Sequence, residues 1–232
     1  MIPQELSIEN PLGPLGYEAE DILGAGRFGA VLAHAGVGKT ALLVQTALFL
    51  MRNGINVLHV SLQDPVHKVD LWYRELLQHL TEKAGLRNNR QVWDVLQAFR
   101  FIMTFRVDGF SVPKLEERLN DLIIQNIFRP RIVILDGLHI DETSREVFQS
   151  LKALAAKSGV SVWFTVHAHR HEGRTADGLP PSFAQITDLF EMTLELLSEG
   201  REIRLKAIKG AKGASSGKDL ELDPATMLVR SA

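Results

Sequence analysis

The order of elements in this chain predicts an α/β protein: a mostly parallel central sheet, helices on both faces, and antiparallel strands at the C-terminal end. Three observations carry that expectation. Strand-length apolar runs alternate with helix-period segments from Phe28 to Val166. One run, Ile132–Leu135, is continuously apolar, as strands covered on both faces are. Beyond Met192 the pattern becomes strict alternation, with Ile203, Leu205 and Ala207 interleaved with Arg204 and Lys206, which marks an antiparallel strand with one wetter face.

Taken in order, residues 1–26 are rich in Pro and Gly and read as an extended lead-in. Phe28–Ala33 is a short apolar run that ends in a Gly-rich turn. Ala41–Met51 carries nine apolar residues in eleven, too long for a buried strand, and so predicts a buried helix stopped at Asn53-Gly54. Asn56–Leu62 is a strand. Asp64-Pro65 then starts a helix with Asp at the N-cap and Pro at N1, and Gly85 closes it. Phe99–Phe105 is a strand, and Ser111 to about Ile127 is a helix with Leu115, Leu119, Leu122 and Ile123 on one face. Thr143-Ser-Arg-Glu146 has the form of a capping box for a helix ending near Gly159, and Val160–Val166 is the next strand. Met192–Leu196 with Ile203–Ile208 forms a hairpin, and Leu220–Leu222 with Met227–Val229 forms another. Nothing in the composition marks a linker, so the expectation is a single domain over residues 1–232.

Composition narrows the function. The 26 Lys+Arg against 28 Asp+Glu give a net charge of −2, which does not suit a bulk polyanion binder. There is no Cys, which excludes disulfides, thiol catalysis and cysteine-based zinc sites. Residues 1–26 hold five acids and no Lys or Arg, unlike a signal or Arg-rich transit peptide. No apolar stretch approaches the ~18 residues of a membrane span. A cytoplasmic protein that does not engage membrane is the expectation.

The chemistry concentrates at Ala33-His34-Ala35-Gly36-Val37-Gly38-Lys39-Thr40. This is the phosphate-binding P-loop pattern, with Ala33 in place of the first Gly, placed after a strand and before a helix that continues from Ala41. Backbone N–H groups of such a loop cradle β- and γ-phosphates, Lys39 adds a point charge, and the Thr40 hydroxyl binds Mg²⁺. Ile132-Val-Ile-Leu135-Asp136 supplies the complement, an apolar strand delivering one carboxylate to the metal's coordination sphere. A nucleoside triphosphate and Mg²⁺ are what these motifs imply. Gly24-Ala-Gly26-Arg-Phe-Gly29 matches the dinucleotide fingerprint but precedes a strand rather than following one, and reads as a turn.

With those residues in place the chain resembles RecA-fold ATPases of the KaiC, RadA and DnaB branch. The resemblance runs from about Ile22 to Val229 and rests on motifs. Leu23-Gly-Ala-Gly26 is similar to the lead-in of that branch, and Val57–Gln63 resembles the strand that ends in the glutamate activating the attacking water. Val160–Arg170 resembles the sensor strand, with His167 at the usual Gln. Ala207-Ile-Lys209-Gly-Ala-Lys212-Gly213 resembles the terminal strand and finger loop that reach a neighbour's nucleotide. The resemblance implies a homo-oligomer, for which a hexameric ring is a known form. It also implies catalytic roles for Gln63 or Asp64, His167 and Lys209.

Three departures bear on activity. Gln63 stands where the base is expected, Ala211 where the finger arginine is expected, and His167 where a Gln is expected. Binding residues are intact while hydrolysis residues are eroded. The leading expectation is therefore an ATP-binding protein acting as a slow ATPase or nucleotide-dependent switch. A DNA-processing motor or recombinase-type ATPase is the alternative, and a P-loop kinase or transferase a further one. Two other clusters are open to a metal: His167, His169 and His171 at alternate positions, and Asp136 with His139 and Asp141. Lys209, Lys212 and Lys218 among glycines offer a contact for DNA or a neighbour's nucleotide.

Overall fold

The computed structural model describes residues 7–86, 89–106, 109–168, 173–176, 178–211 and 219–230. Among the described residues nine strands form one sheet: β1 (Phe28–Ala33), β2 (Val57–Ser61), β3 (Arg100–Thr104), β4 (Ile132–Asp136), β5 (Ser161–His167), β6 (Met192–Glu199), β7 (Glu202–Lys209), β8 (Leu220–Leu222) and β9 (Val229–Arg230). Their order across the sheet is β3-β2-β4-β5-β1-β6-β7-β8-β9. The first six run parallel, and β7, β8 and β9 add antiparallel. The expected α/β architecture is what forms.

Period-two alternation on continuously apolar strands explains the layering. Val31, Val57, Ile132, Ile134, Trp163 and Leu194 face one core with α2 (Lys39–Arg52), α3 (Val66–Lys83) and α4 (Asn89–Leu96). Phe28, Ala30, Leu58, Val133, Leu135 and Phe164 face the other, with α5 (Val112–Ile124), α6 (Arg145–Ser158) and the short α7 (Pro181–Ala184). Helix α2 packs on the sheet beneath α3 and α4, so it is buried nearly all round, which is why its sequence carries so little polar surface.

Several local expectations are corrected. In its described part, from residue 7, the lead-in is not simply extended: it contains a 3₁₀ turn at Gly13–Leu15 and a short helix α1 (Ala19–Ile22). Ile8, Leu12, Leu15, Tyr17 and Ile22 are buried, each worth about 1.5–3 kcal/mol relative to exposure. The Tyr17 hydroxyl donates to the Lys209 carbonyl at 2.8 Å, tying this segment to the end of β7. Asp64 is not the N-cap of α3. Pro65 takes that position, and the Asp64 carboxylate instead accepts from Lys68 Nζ at 2.8 Å. The N-cap position of α6 is Ser144 rather than Thr143, without a side-chain capping bond, and the Thr143 hydroxyl donates to the His139 carbonyl. Helix α4 has no counterpart in the expected elements.

Candidate nucleotide-binding site

Strand β1 ends at Ala33 and α2 begins at Lys39, so residues 34–38 must turn sharply within five positions. Gly36 (φ 76°) and Gly38 (φ 111°) supply left-handed backbone that a side chain would strain. A Cβ at Gly36 would meet nothing within 4 Å, while one at Gly38 would press on Leu222 Cδ2 at 3.0 Å. The loop therefore opens on one side and rests on the β8–β9 turn on the other. The first-turn N–H groups of α2 lie at this opening, the arrangement that favours an anion.

Lys39 bends back over the loop, and its ammonium donates to the carbonyls of Ala33 and His34, both at 2.9 Å. Burial lowers its pKa to about 8, against partial opposition from the Asp136 charge. An arriving phosphate would supply the counter-charge that the interior withholds. His34 itself reaches across to the Ala168 carbonyl through Nδ1 at 2.5 Å, linking the loop to the end of β5.

Asp136 closes β4 on the same sheet face as Ile132 and Ile134, the face that carries α2. Its Oδ2 accepts from the Thr40 hydroxyl at 2.9 Å and its Oδ1 from the Thr165 hydroxyl at 2.6 Å. The His59 Nε2 faces Oδ2 at 3.7 Å. Burial alone would raise the Asp136 pKa, but the His59 imidazole and the two threonine hydroxyls outweigh it and hold the carboxyl below its ordinary range. The group is thus an anion at neutral pH. A Thr40 hydroxyl that gives its proton to Asp136 keeps its oxygen lone pairs free for a cation. An ionised carboxylate beside such a hydroxyl is a hard oxygen donor set that fits Mg²⁺ with phosphates and water completing its shell.

The residues at the end of β2 sit alongside. Leu62 N–H donates to the Asp136 carbonyl at 2.9 Å, and Gln63 lies across Gly137, where a Cβ would come within 2.7 Å of Gln63 Cγ. Gln63 Nε2 lies 3.3 Å from His139 Nε2. At the end of β5, His167 pairs in register with Ala33 and is exposed beside the loop. Residues 34–41, Asp136, Gln63 and His167 are therefore brought together at the carboxyl ends of adjacent strands. Two expected residues point elsewhere. Asp64 is held by Lys68, and the Lys209 ammonium donates to the Thr187 carbonyl at 2.9 Å.

His169, Arg170, His171, Lys212 and Lys218 lie outside the described residues. Among the described residues no group of three His, Asp or Glu side chains is arranged to hold a metal by itself, which covers Asp136, His139 and Asp141. No described helix is long and apolar enough to cross a membrane. Two partners of the site, Thr165 and His59, were singled out by no motif, and His139 was named only within a candidate metal cluster with Asp136 and Asp141. The only sequence signal for His59 was a polar ring in an otherwise apolar strand.

A separate cavity of about 940 Å³ opens between α5 and α6, lined by Phe110, Val112, Leu138, His139 and Val147 among others. It does not include the loop.

No curated protein matches the chain. A domain family described as an AAA domain matches residues 5–173, the stretch that holds β1 to β5, the loop at 34–38 and Asp136. That match spans well over half of the sequence and agrees with the geometry of Lys39, Thr40 and Asp136, so the chain belongs to the AAA domain family of the P-loop NTPase superfamily.

Proposed function

We propose that the protein binds Mg²⁺–ATP at residues 34–41 and Asp136 and acts as a slow ATPase or nucleotide-dependent switch of the RecA/KaiC kind, in a homo-oligomer. The observation that carries this reading is the contrast between two ends of one site. At the phosphate end, Lys39, Thr40 and Asp136 are assembled and charged for the task. At the water end, the position nearest Gly137 is the amide of Gln63. Bound Mg²⁺ would neutralise phosphate oxygens, and Thr40 and Asp136 are the residues to hold it. Gln63 orients a water through its amide but cannot accept a proton, and general base assistance is typically worth about 10²–10⁴-fold.

The RecA-like branch is favoured by the strands after β5: one more parallel strand, β6, and then antiparallel β7 to β9. A kinase reading would want basic residues freed over the phosphates. Of the two candidates, Arg174 pairs with the buried Glu195 and the Gly178 carbonyl, and Arg170 lies outside the described residues. A motor reading would want a basic DNA-facing surface, which a net charge of −2 does not favour. Lys209 would serve a neighbour's nucleotide only after leaving the Thr187 carbonyl.

ATP turnover measured alone, with single-stranded DNA, and across protein concentration, with mass by light scattering, tests this. Tight Mg²⁺-dependent ATP binding with slow turnover is expected. Strong stimulation by DNA would favour the motor, and a phosphorylated small molecule without bulk hydrolysis would favour the transferase.

A further inference from the structure

His59 is fully buried in the middle of β2, yet its Nε2 has no hydrogen-bond partner. Such an orphan needs a reason, since a buried polar atom left unpaired costs about 1–3 kcal/mol. The reason lies in its two neighbours. On one side, Nδ1 meets the Tyr73 hydroxyl of α3 at 3.1 Å, with the two rings edge-on at 5.7 Å. On the other, Nε2 faces Oδ2 of Asp136 at 3.7 Å, the same oxygen that accepts from Thr40.

We propose that His59 is a positioning residue for the metal-binding carboxylate of Asp136, with its ring orientation and tautomer set by Tyr73. The inference rests on the Mg²⁺–ATP reading and deepens it.

The Tyr73 phenol is wholly buried, and burial pushes its pKa well up, so it stays a hydrogen donor. When it donates to Nδ1, the ring proton sits on Nε2 and points at Asp136. The opposite tautomer would turn a lone pair toward a carboxylate. Tyr73 is itself fixed from behind: the Arg100 guanidinium stacks on its ring at 4.5 Å and on Trp93 at 4.7 Å, and Asp70 holds Arg100 through Nη2 at 2.5 Å. Arg100 of β3, itself against Trp93 of α4, thus backs the Tyr73 ring of α3, which meets the imidazole. Asp136 then has a donor on each oxygen plus a third group that limits its rotation. A carboxylate fixed in this way meets a cation without first having to be ordered.

The test is the Mg²⁺ concentration at half-saturation for binding of a fluorescent ATP analogue, with affinity in EDTA measured alongside. His59→Phe and Tyr73→Phe are each expected to raise the Mg²⁺ midpoint about ten-fold, the lower bound for removing a group that orients a metal ligand. Affinity in EDTA should stay unchanged, because Lys39 and the loop are untouched. His59→Gln, whose amide nitrogen can approach the Nε2 position, should recover part of the loss. Tyr73→Phe keeps the ring under Arg100, so it reports even where a change at His59 perturbs folding. An unchanged midpoint in Tyr73→Phe and in His59→Phe, whatever happens to thermal stability, overturns the proposal and leaves a structural role. Wild-type binding with no Mg²⁺ dependence would overturn the Mg²⁺–ATP reading itself, and this proposal with it.

Discussion

The Thr40 hydroxyl on α2 and the Asp136 carboxylate on β4 are joined by a 2.9 Å hydrogen bond between residues 96 positions apart. That bond aligns a hydroxyl oxygen and an anion on one point in space before any ligand arrives. Asp136→Asn removes the charge while leaving an acceptor for Thr40 or Thr165. It should weaken nucleotide binding in Mg²⁺ and barely change it in EDTA. Equal losses under both conditions would assign Asp136 a structural task at the strand end.

Lys39→Met should abolish ATP binding by calorimetry. Its effect on stability has the opposite sign from that of a helpful ion pair. In the fold Lys39 sits at about 8 against an ordinary 10.5, so between those values the unfolded chain binds more protons. The lysine's penalty is full below pH 8 and fades as pH rises toward 10.5. The ligand-free melting temperature of Lys39→Met at pH 7 should therefore hold or rise. Wild-type nucleotide affinity should fall as pH climbs past 8, with proton uptake on binding seen as buffer-dependent heat. A pH-independent affinity from 7 to 9.5 would count against Lys39 as the phosphate's partner.

Gln63→Glu should raise ATP turnover on the order of ten-fold, the low end of what a restored base adds when no finger arginine assists. Asp64→Asn should leave turnover within two-fold, on the order of a surface change, because that carboxylate is paired with Lys68 and makes no cap. The opposite pattern in steady-state rates would move the base to Asp64.

Gly137→Ala should cost about 1–2 kcal/mol for left-handed backbone, since φ is 89° there. It should also displace Gln63, whose Cγ a new Cβ would approach to 2.7 Å. Chemical denaturation reads the first effect. Adding Gly137→Ala to Gln63→Glu should erase the turnover gained, and additive behaviour would show that Gly137 does not seat residue 63.

A neighbour's Lys209 can be tested by mixing. Lys209→Ala subunits combined with Lys39→Ala subunits should regain part of the activity if Lys209 leaves the Thr187 carbonyl to act across an interface. No regain in mixed oligomers proven by mass would confine Lys209 to its own chain.

What was legible in the sequence was whatever is written contiguously. Phe28–Ala33, residues 34–41 and Ile132–Asp136 each hold a whole motif, and the sheet delivers them where their periodicity implies. The lead-in hid its burial because Ile8, Leu12, Leu15 and Tyr17 follow no period among prolines and glycines. Helix α4 escaped notice because it is only eight residues long and half polar, too short for the spacing of its buried Val92, Trp93 and Leu96 to establish a period. The place of a cap is not fixed by residue type alone: Thr143 precedes the N-cap and spends its hydroxyl on the His139 carbonyl. Thr165 and His59 act through register, beside Asp136 only because β5 and β2 flank β4. A lone histidine in an apolar strand looks the same whether it fills space or aims a carboxylate.

Strand β6 carries one last consequence. It lies against β1 from Gly29–Met192 to Leu32–Glu195, and Leu222 and Met227 beyond it close over Gly38. The match to the AAA domain ends at residue 173, before β6 begins. A chain cut there would turn β1 into a bare sheet edge, its backbone groups open to a stranger's strand. The phosphate loop would hang from that edge, without the residues that back Gly38. The stretch that matches the AAA domain and the stretch that includes the residues backing Gly38 are different lengths of this polypeptide.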